Sequence, residues 1–425
     1  MIAVEEYVRK NLRFNVLVSF IDAGFFGVAI GFGSFSTIIP LFVSHLTNSA
    51  MLIGLAPAIH AICWQLPQLF TAGRMARLRR FKPTVMTMTI HERLAFIGLG
   101  IVALLVPQIG LNTALVWTFI LLTWQGLGAG FTANAWQSMI AKIIPSHVRG
   151  TFFGGQAAVA NVLISLGALA SGYILEIGGF PYGFTISFFL TGIFMAISWF
   201  FLNRTREAES PVALDPNHPA TTFRGMWGIL RRDQNFSWFL VTRILAMLAT
   251  MGFSFYIIYA LRRFDMDVVT AGWLTATLTI AQTVANIGMG WLGDRFGHRL
   301  MLILGALAIT FSSLLAWWAP SLGWFYLIFI LEGLANVAIW TIGMAITVEF
   351  GSEAERPTYI GLSNTLVAPF SILAPLLGGW MVDAISYQSM FIVAAVLGIA
   401  TALTLTFLVK NPRGLSVQEP VPTAQ

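Results

Sequence analysis

Apolar runs of about twenty residues or more recur along the whole chain, and no other feature restricts its fold so strongly. A hydrocarbon core of about 30 Å takes about twenty helical residues to cross. Inside it the backbone must satisfy its own hydrogen bonds, which leaves helices or closed barrels. A barrel would be written in short alternating segments, whereas these runs are continuous. Composition agrees: 57% of residues are hydrophobic and 10% charged, with a mean hydropathy of +0.79, against about 25% charged in an ordinary globular domain. The chain therefore reads as an all-α polytopic membrane protein. Twelve transmembrane helices are expected, at about 15–41, 51–72, 84–106, 113–138, 151–175, 183–203, 236–260, 268–290, 300–319, 324–348, 358–382 and 388–409.

The net charge of +6 invites a nucleic-acid reading, but the placement of the basic residues opposes it. With the N-terminus inside, twenty Lys and Arg fall on the inner side, from Arg9 through the Arg74–Lys82 cluster to Lys410 and Arg413. Only Arg262 and Arg263 fall outside, while Arg93 and Arg243 lie within spans. This is a strong positive-inside bias. It places both termini in the cytoplasm and accounts for the charge by orientation, with no nucleic-acid partner. The first apolar run is too long for a signal-peptide core and lacks a small-residue cleavage site, so it is read as a retained span. The single cysteine, Cys63, rules out an internal disulfide framework or a cysteine metal site.

The longest polar segment, 204–235, reads as a cytoplasmic central loop and divides the chain into residues 1–203, an N-terminal six-helix bundle, and 236–425, a C-terminal six-helix bundle with a short cytoplasmic tail. The two parts are similar to each other. GRMARLRRFK, starting at Gly73, lies between spans two and three, where GWLGDRFGHR, starting at Gly290, lies between spans eight and nine. RGTFFG opens span five at Arg149 and RPTYIG opens span eleven at Arg356; QGLGAG at Gln125 and EGLANV at Glu332 sit midway along spans four and ten. The last two pairs share one offset of 207 residues. Parallel six-span repeats related by an axis along the membrane normal describe one common transporter architecture.

GWLGDRFGHR resembles the loop motif of the major facilitator superfamily, roughly G-x-L-x-D-R-x-G-R-K/R. Gly290, Leu292, Asp294, Arg295, Gly297 and Arg299 match, and His298 stands at one basic position. The resemblance extends over the whole chain, since span count, central segment, half-repeat and loop position all agree. It implies two pseudo-symmetric six-helix bundles and a gating loop whose aspartate caps a helix of the opposite half beside an arginine. Asp294 is then expected near Arg149–Phe152, with Arg149, Arg295 or Arg356 in ion-pair reach. A carboxylate at a helix N-terminus, where backbone N–H groups lack partners, is physically reasonable. The first-half copy keeps Gly73, Ala76 and Lys82 but has Arg77 where the aspartate belongs, so that half of the latch is expected to be lost. Leu122 replaces the arginine that the resemblance would place in span four, before Gln125, Gly126 and Gly128. The family's proton coupling through that arginine is not expected here. Span five lacks the Gly-Pro signature of drug antiporters.

Ionisable residues at a helix centre cost about 2.5–3.5 kcal/mol on insertion scales, so each needs a reason. Asp22, Glu92, Arg93, Arg243 and Glu332 lie about eight or more residues inside their spans. Asp22 and Arg243 hold nearly symmetric places in spans one and seven. They read either as coupling or solute-binding groups or as a structural ion pair between halves. Glu332 takes the repeat position of Gln125 and reads as a titratable or binding group, or as a packing glutamate. Glu92 and Arg93, being adjacent, are expected on different faces of span three in a structural network. Gln65 and Gln68 bracket Pro67, which should kink span two. Gln282, Asn286, Asn134 and Trp340 are weaker candidates of the same kind.

The six histidines are scattered, no metal-ligand spacing occurs, and no Gly-Lys-Ser/Thr phosphate loop is present, so no metal, cofactor or catalytic constellation is expected. The leading reading is a secondary transporter of a small organic solute, alternating access between halves and proton-coupled through midplane carboxylates, working as a monomer in the lipid bilayer of the cell (inner) membrane. An integral membrane enzyme, or a lipid-handling or receptor-like protein on a transporter fold, are the alternatives. Arg243 points to an anionic or zwitterionic solute, Asp22 and Glu332 to a cationic one, and the sequence leaves both open.

Overall fold

The computed structural model describes residues 2–35, 37–209, 223–266 and 268–412. Arg413 and residues 210–222 of the central segment lie outside them. The described chain is nearly all helical. It runs α1 Ile2–Phe32, α2 Ile38–Leu46, α3 Ala50–Gln65, α4 Pro67–Met75, α5 Lys82–Ile109, α6 Leu111–Ile143, α7 Arg149–Gly178, α8 Tyr182–Leu202 and α9 Phe223–Arg232. The order continues with α10 Gln234–Ala249, α11 Tyr256–Phe264, α12 Val268–Phe296, α13 His298–Trp318, α14 Trp324–Val337, α15 Gly343–Thr347, α16 Arg356–Ala384 and α17 Tyr387–Phe407.

Among the described residues, eleven helical stretches are long and apolar enough to cross a membrane, and the protein is an integral membrane protein. The remaining expected span is α12, whose 29 residues reach about 44 Å at 1.5 Å each. Threonines recur along it, at 275, 277, 279 and 283. Its Thr277, Thr279 and Thr283 hydroxyls bond back to carbonyls one turn earlier, at 2.9–3.1 Å, which lets a threonine-rich helix sit in hydrocarbon.

Four expected spans are broken rather than continuous. Span one parts between α1 and α2, where Gly33 runs so close to Phe96 and Thr191 that a Cβ would lie 2.7 and 2.9 Å from them. Span two parts at Pro67, which opens α4 and has no N–H to continue α3. Span seven is interrupted by a 3₁₀ turn, Thr250–Phe255, and span ten by a π-helical turn, Ala338–Ile342. Residues 223–232 of the central segment form α9 rather than loop, burying Met226 and Ile229, one turn apart on one face.

By contacts the chain forms two compact units. One comprises residues 1–145, 159–216 and 360–365; the other comprises 146–158, 217–359 and 366–425. In the first, Phe42 packs on Phe184 and Phe188 with ring centroids 5.2 and 5.3 Å away. In the second, Tyr256 and Tyr259 pack on Phe391 at 5.5 and 5.1 Å. Lipid tails are as apolar as these side chains, so helix association relies on close packing and interhelical bonds. The start of α7 shows this in the second unit: a Cβ at Gly154 would overlap the Asn286 carbonyl oxygen, and one at Gly290 would strike the Gly150 backbone.

Candidate functional site

In the first unit, α1, α5 and α8 enclose a charged cluster. Ser198 donates to Asp22 Oδ1 at 2.6 Å and accepts from Arg93 Nη2 at 3.1 Å. Arg93 Nε donates to the Met195 carbonyl at 3.0 Å, and Nη1 lies 3.8 Å from Glu92 Oε2. Thr89 bonds to both Arg93 and Glu92. Asp22, Glu92 and Arg93 are only 7–8% exposed. Adjacency places Glu92 and Arg93 on different faces of a helix, yet the long arginine side chain bends back to its neighbour. A pair with Arg243 was one of the two readings left open for Asp22; the bonds Asp22 makes among the described residues run to Ser198 and through it to Arg93.

Further along the first unit, the break at Pro67 frees backbone groups, and the 360–365 segment answers them. Thr365 donates to the carbonyls of Gln65 and Leu66 at 3.1 and 3.3 Å and accepts from Leu69 N–H at 3.1 Å. Gln68 bonds to Trp64 O and to Asn364, while Asn134 donates to Gln68 O. Gln65 donates to Ala61 O within its own helix. This polar ladder serves the kink. Next to it, Gln125 accepts from His60 Nδ1 at 2.8 Å, and the imidazole stacks on Phe35 at 3.8 Å between centroids.

In the second unit, Arg243 lines a cavity of about 30 Å³ with Phe239, Thr242, Gly305 and Ala338, its guanidinium lying beside Gly343. Thr341, in the π turn, donates to Asn286 at 2.7 Å, joining span ten to α12. Glu332 is 6% exposed and leaves Oε2 without a hydrogen-bond partner. Tyr256 OH lies 3.0 and 3.1 Å from the Ser312 and Ser313 hydroxyls. Gln282 sits half-buried on α12, where Gly333 packs closely on its backbone.

The loop between α12 and α13 also belongs to the second unit. Asp294 caps α7, accepting from Gly150 N–H at 2.8 Å and Thr151 N–H at 2.6 Å. Gly290 makes this possible by packing directly on Gly150. Gly297 turns the chain with a φ of 95°, a conformation that disfavours side chains. Fully buried His298 bridges two carboxylates, 3.6 Å from Asp294 and 2.8 Å from Glu349. Arg299 instead reaches the Leu405 and Thr406 carbonyls, Arg356 the Val348 carbonyl, and Arg295 the faces of Trp291 and Phe296. Arg149, the first residue of α7, is buried.

The corresponding loop of the first unit is built differently. Gly73 is buried in α4, and a carboxylate from elsewhere caps the following helix: Glu207 accepts from Phe81 and Lys82 N–H at 2.8–3.0 Å. Lys142 completes the arrangement, 3.1 Å from Glu207 and 2.8 Å from the Arg79 carbonyl, with both charged side chains almost wholly buried. Sequence reasoning passed over His60, Ser198, Glu207 and Glu349, and met His298 without a role. Only His298 carried a signal, as the odd residue at a basic motif position.

Residues 89–267 and 244–424 each match the family model described as Major Facilitator Superfamily. The chain belongs to this superfamily. A 350-residue stretch is 24% identical to an uncharacterized MFS-type transporter of Methanocaldococcus jannaschii, covering 79% of this chain and 85% of that one. A shorter stretch of 150 residues is 27% identical to multidrug resistance protein 2 of Bacillus subtilis, covering 35% of this chain and 37% of that protein. The chain thus matches little more than a third of that relative's length. Among solved structures, the E. coli fucose:proton symporter superposes with a TM-score of 0.73 at 13% identity, covering 93% of this chain and 98% of that one. The superfamily's two-half helical fold is therefore the fold of this chain.

Proposed function

We propose that this superfamily member is a secondary active transporter that moves a small organic solute across the cell membrane. Its halves alternate access to a midplane site, and the Asp22 cluster takes up and releases the coupling proton. The observation that carries the coupling is charge balance: Asp22 and Glu92 face one guanidinium, Arg93, in a pocket only 7–8% exposed. With one proton bound the cluster is neutral. Without it the cluster holds one uncompensated charge, at about 2.5–3.5 kcal/mol on insertion scales. That difference favours whichever state lets water reach the carboxylates, so protonation and access are linked. The carboxylates titrate as a unit rather than as individual residues.

Asp294 supplies the gate. Its bonds to the first turn of α7 hold closed the side that the twenty basic residues mark as cytoplasmic. The family, the multidrug relative and the proton-coupled structural neighbour support this reading. The test is a solute panel in proteoliposomes with an imposed pH gradient, comparing wild type with Asp22→Asn. Gradient-driven accumulation should appear in the wild type and collapse in the variant. Equal accumulation in both would remove Asp22 from coupling.

A further inference from the structure

We infer that His60 is a midplane solute contact that recognises a hydrogen-bond donor, specifically the ammonium group of a protonated organic amine. His60 lies on α3 one turn before the Pro67 break, and its ring is fixed on two sides. Phe35 stacks on its face at 3.8 Å, and Gln125 Oε1 takes its Nδ1 at 2.8 Å. An amide oxygen only accepts, so Nδ1 carries the proton. In the neutral ring the other nitrogen, Nε2, is then an acceptor. Among the described residues Nε2 makes no hydrogen bond, and His60 is half-buried rather than enclosed, which leaves this lone pair for a solute.

Gln125 is wholly buried, and its own Nε2 has no partner. An orphaned buried donor is costly, so this glutamine is placed for the imidazole and not for itself. At the same repeat position of the second unit, Glu332 likewise keeps an acceptor, Oε2, without a partner. The first unit thus presents its acceptor through the imidazole that Gln125 holds, and the second through a carboxylate oxygen. Arg243, the residue that would favour an anion, already has partners of its own. A cationic donor suits the imidazole acceptor and the aromatic rings of Phe35 and Phe96 beside it.

This assignment rests on the transport reading, but its test does not need turnover. Diethyl pyrocarbonate acylates an open imidazole nitrogen, and mass spectrometry of the full chain in detergent reports His60 by its own peptide. Two probes share a ring and differ in charge and donor: phenethylamine and phenylacetate. Phenethylamine at about four times its dissociation constant should slow acylation of His60 by about fivefold, the inverse of the free fraction, while phenylacetate leaves the rate unchanged. Gln125→Leu frees the ring and should abolish the protection. Should that variant not fold, Gln125→Met serves, and Gln125→Glu, which still accepts from Nδ1, should retain it. An unreactive His60, protection by phenylacetate, no protection by either probe, or protection that survives Gln125→Leu would each overturn the assignment. Solute accumulation in liposomes without amine protection removes His60 and leaves the transport reading standing; protection without accumulation does the reverse.

Discussion

Replacing Asp294 with asparagine changes charge but not shape at the point where α12 meets α7. The carboxylate accepts two backbone N–H groups at 2.8 and 2.6 Å, with its side chain only 8% exposed. Bonds to a charged acceptor contribute about 1.5–3 kcal/mol each, against about 0.5–1.5 for neutral ones. Asparagine keeps one such bond through its oxygen, and its NH₂ then faces the second N–H, donor against donor. The loss is about 2–4 kcal/mol, a shift of about thirtyfold to a thousandfold away from the closed arrangement at 1.36 kcal/mol per tenfold. A cysteine at Ala158, 4% exposed and one turn beyond Gly154, reports the opening in a background where Cys63 is replaced by alanine. Its reaction with a membrane-impermeant maleimide should quicken by at least about tenfold in Asp294→Asn, allowing part of the shift to be absorbed elsewhere. Glutamine at the same site, one methylene longer, should behave like asparagine. If labelling and solute turnover both match the parent, the cap stabilises α7 without gating anything.

Three further outcomes follow from the same bonds. Lys142→Met strands Glu207 in a site where both side chains are almost wholly buried and should cost about 3–5 kcal/mol, read as a lowered unfolding midpoint in detergent; adding Glu207→Gln should recover only part, because Phe81 and Lys82 N–H still need an acceptor. Arg93→Met should lower thermal stability similarly by leaving Asp22 and Glu92 without their cation, and pairing it with Glu92→Gln should restore folding while leaving gradient-driven accumulation impaired. Gly154→Ala should separate α7 from α12, since the added methyl overlaps the Asn286 carbonyl; labelling of the cysteine at position 158 should then quicken as it does in Asp294→Asn.

What the sequence carried was periodicity and repetition. Continuous apolar runs dictate helices because hydrocarbon offers the backbone no other partner, and the 207-residue offset reflects two copies built alike. Asp294 was legible for a local reason: its spacing from Gly290 and Gly297 describes a turn that delivers a carboxylate to a helix end. The kink at Pro67 was legible because proline lacks an N–H wherever it falls. Tertiary structure decided the partners. Glu92 and Arg93 diverge on a helical wheel, yet the flexible arginine folds back toward Ser198, a residue 105 positions away. Glu207 looks like a solvated charge of a polar segment until the fold lays it across the start of α5. His60 becomes a candidate contact only when Gln125, 65 positions later, fixes which of its nitrogens remains open. Local propensity and patterning act over one turn or one span, while the pairing of buried polar groups depends on which helices lie side by side, and no single span encodes that.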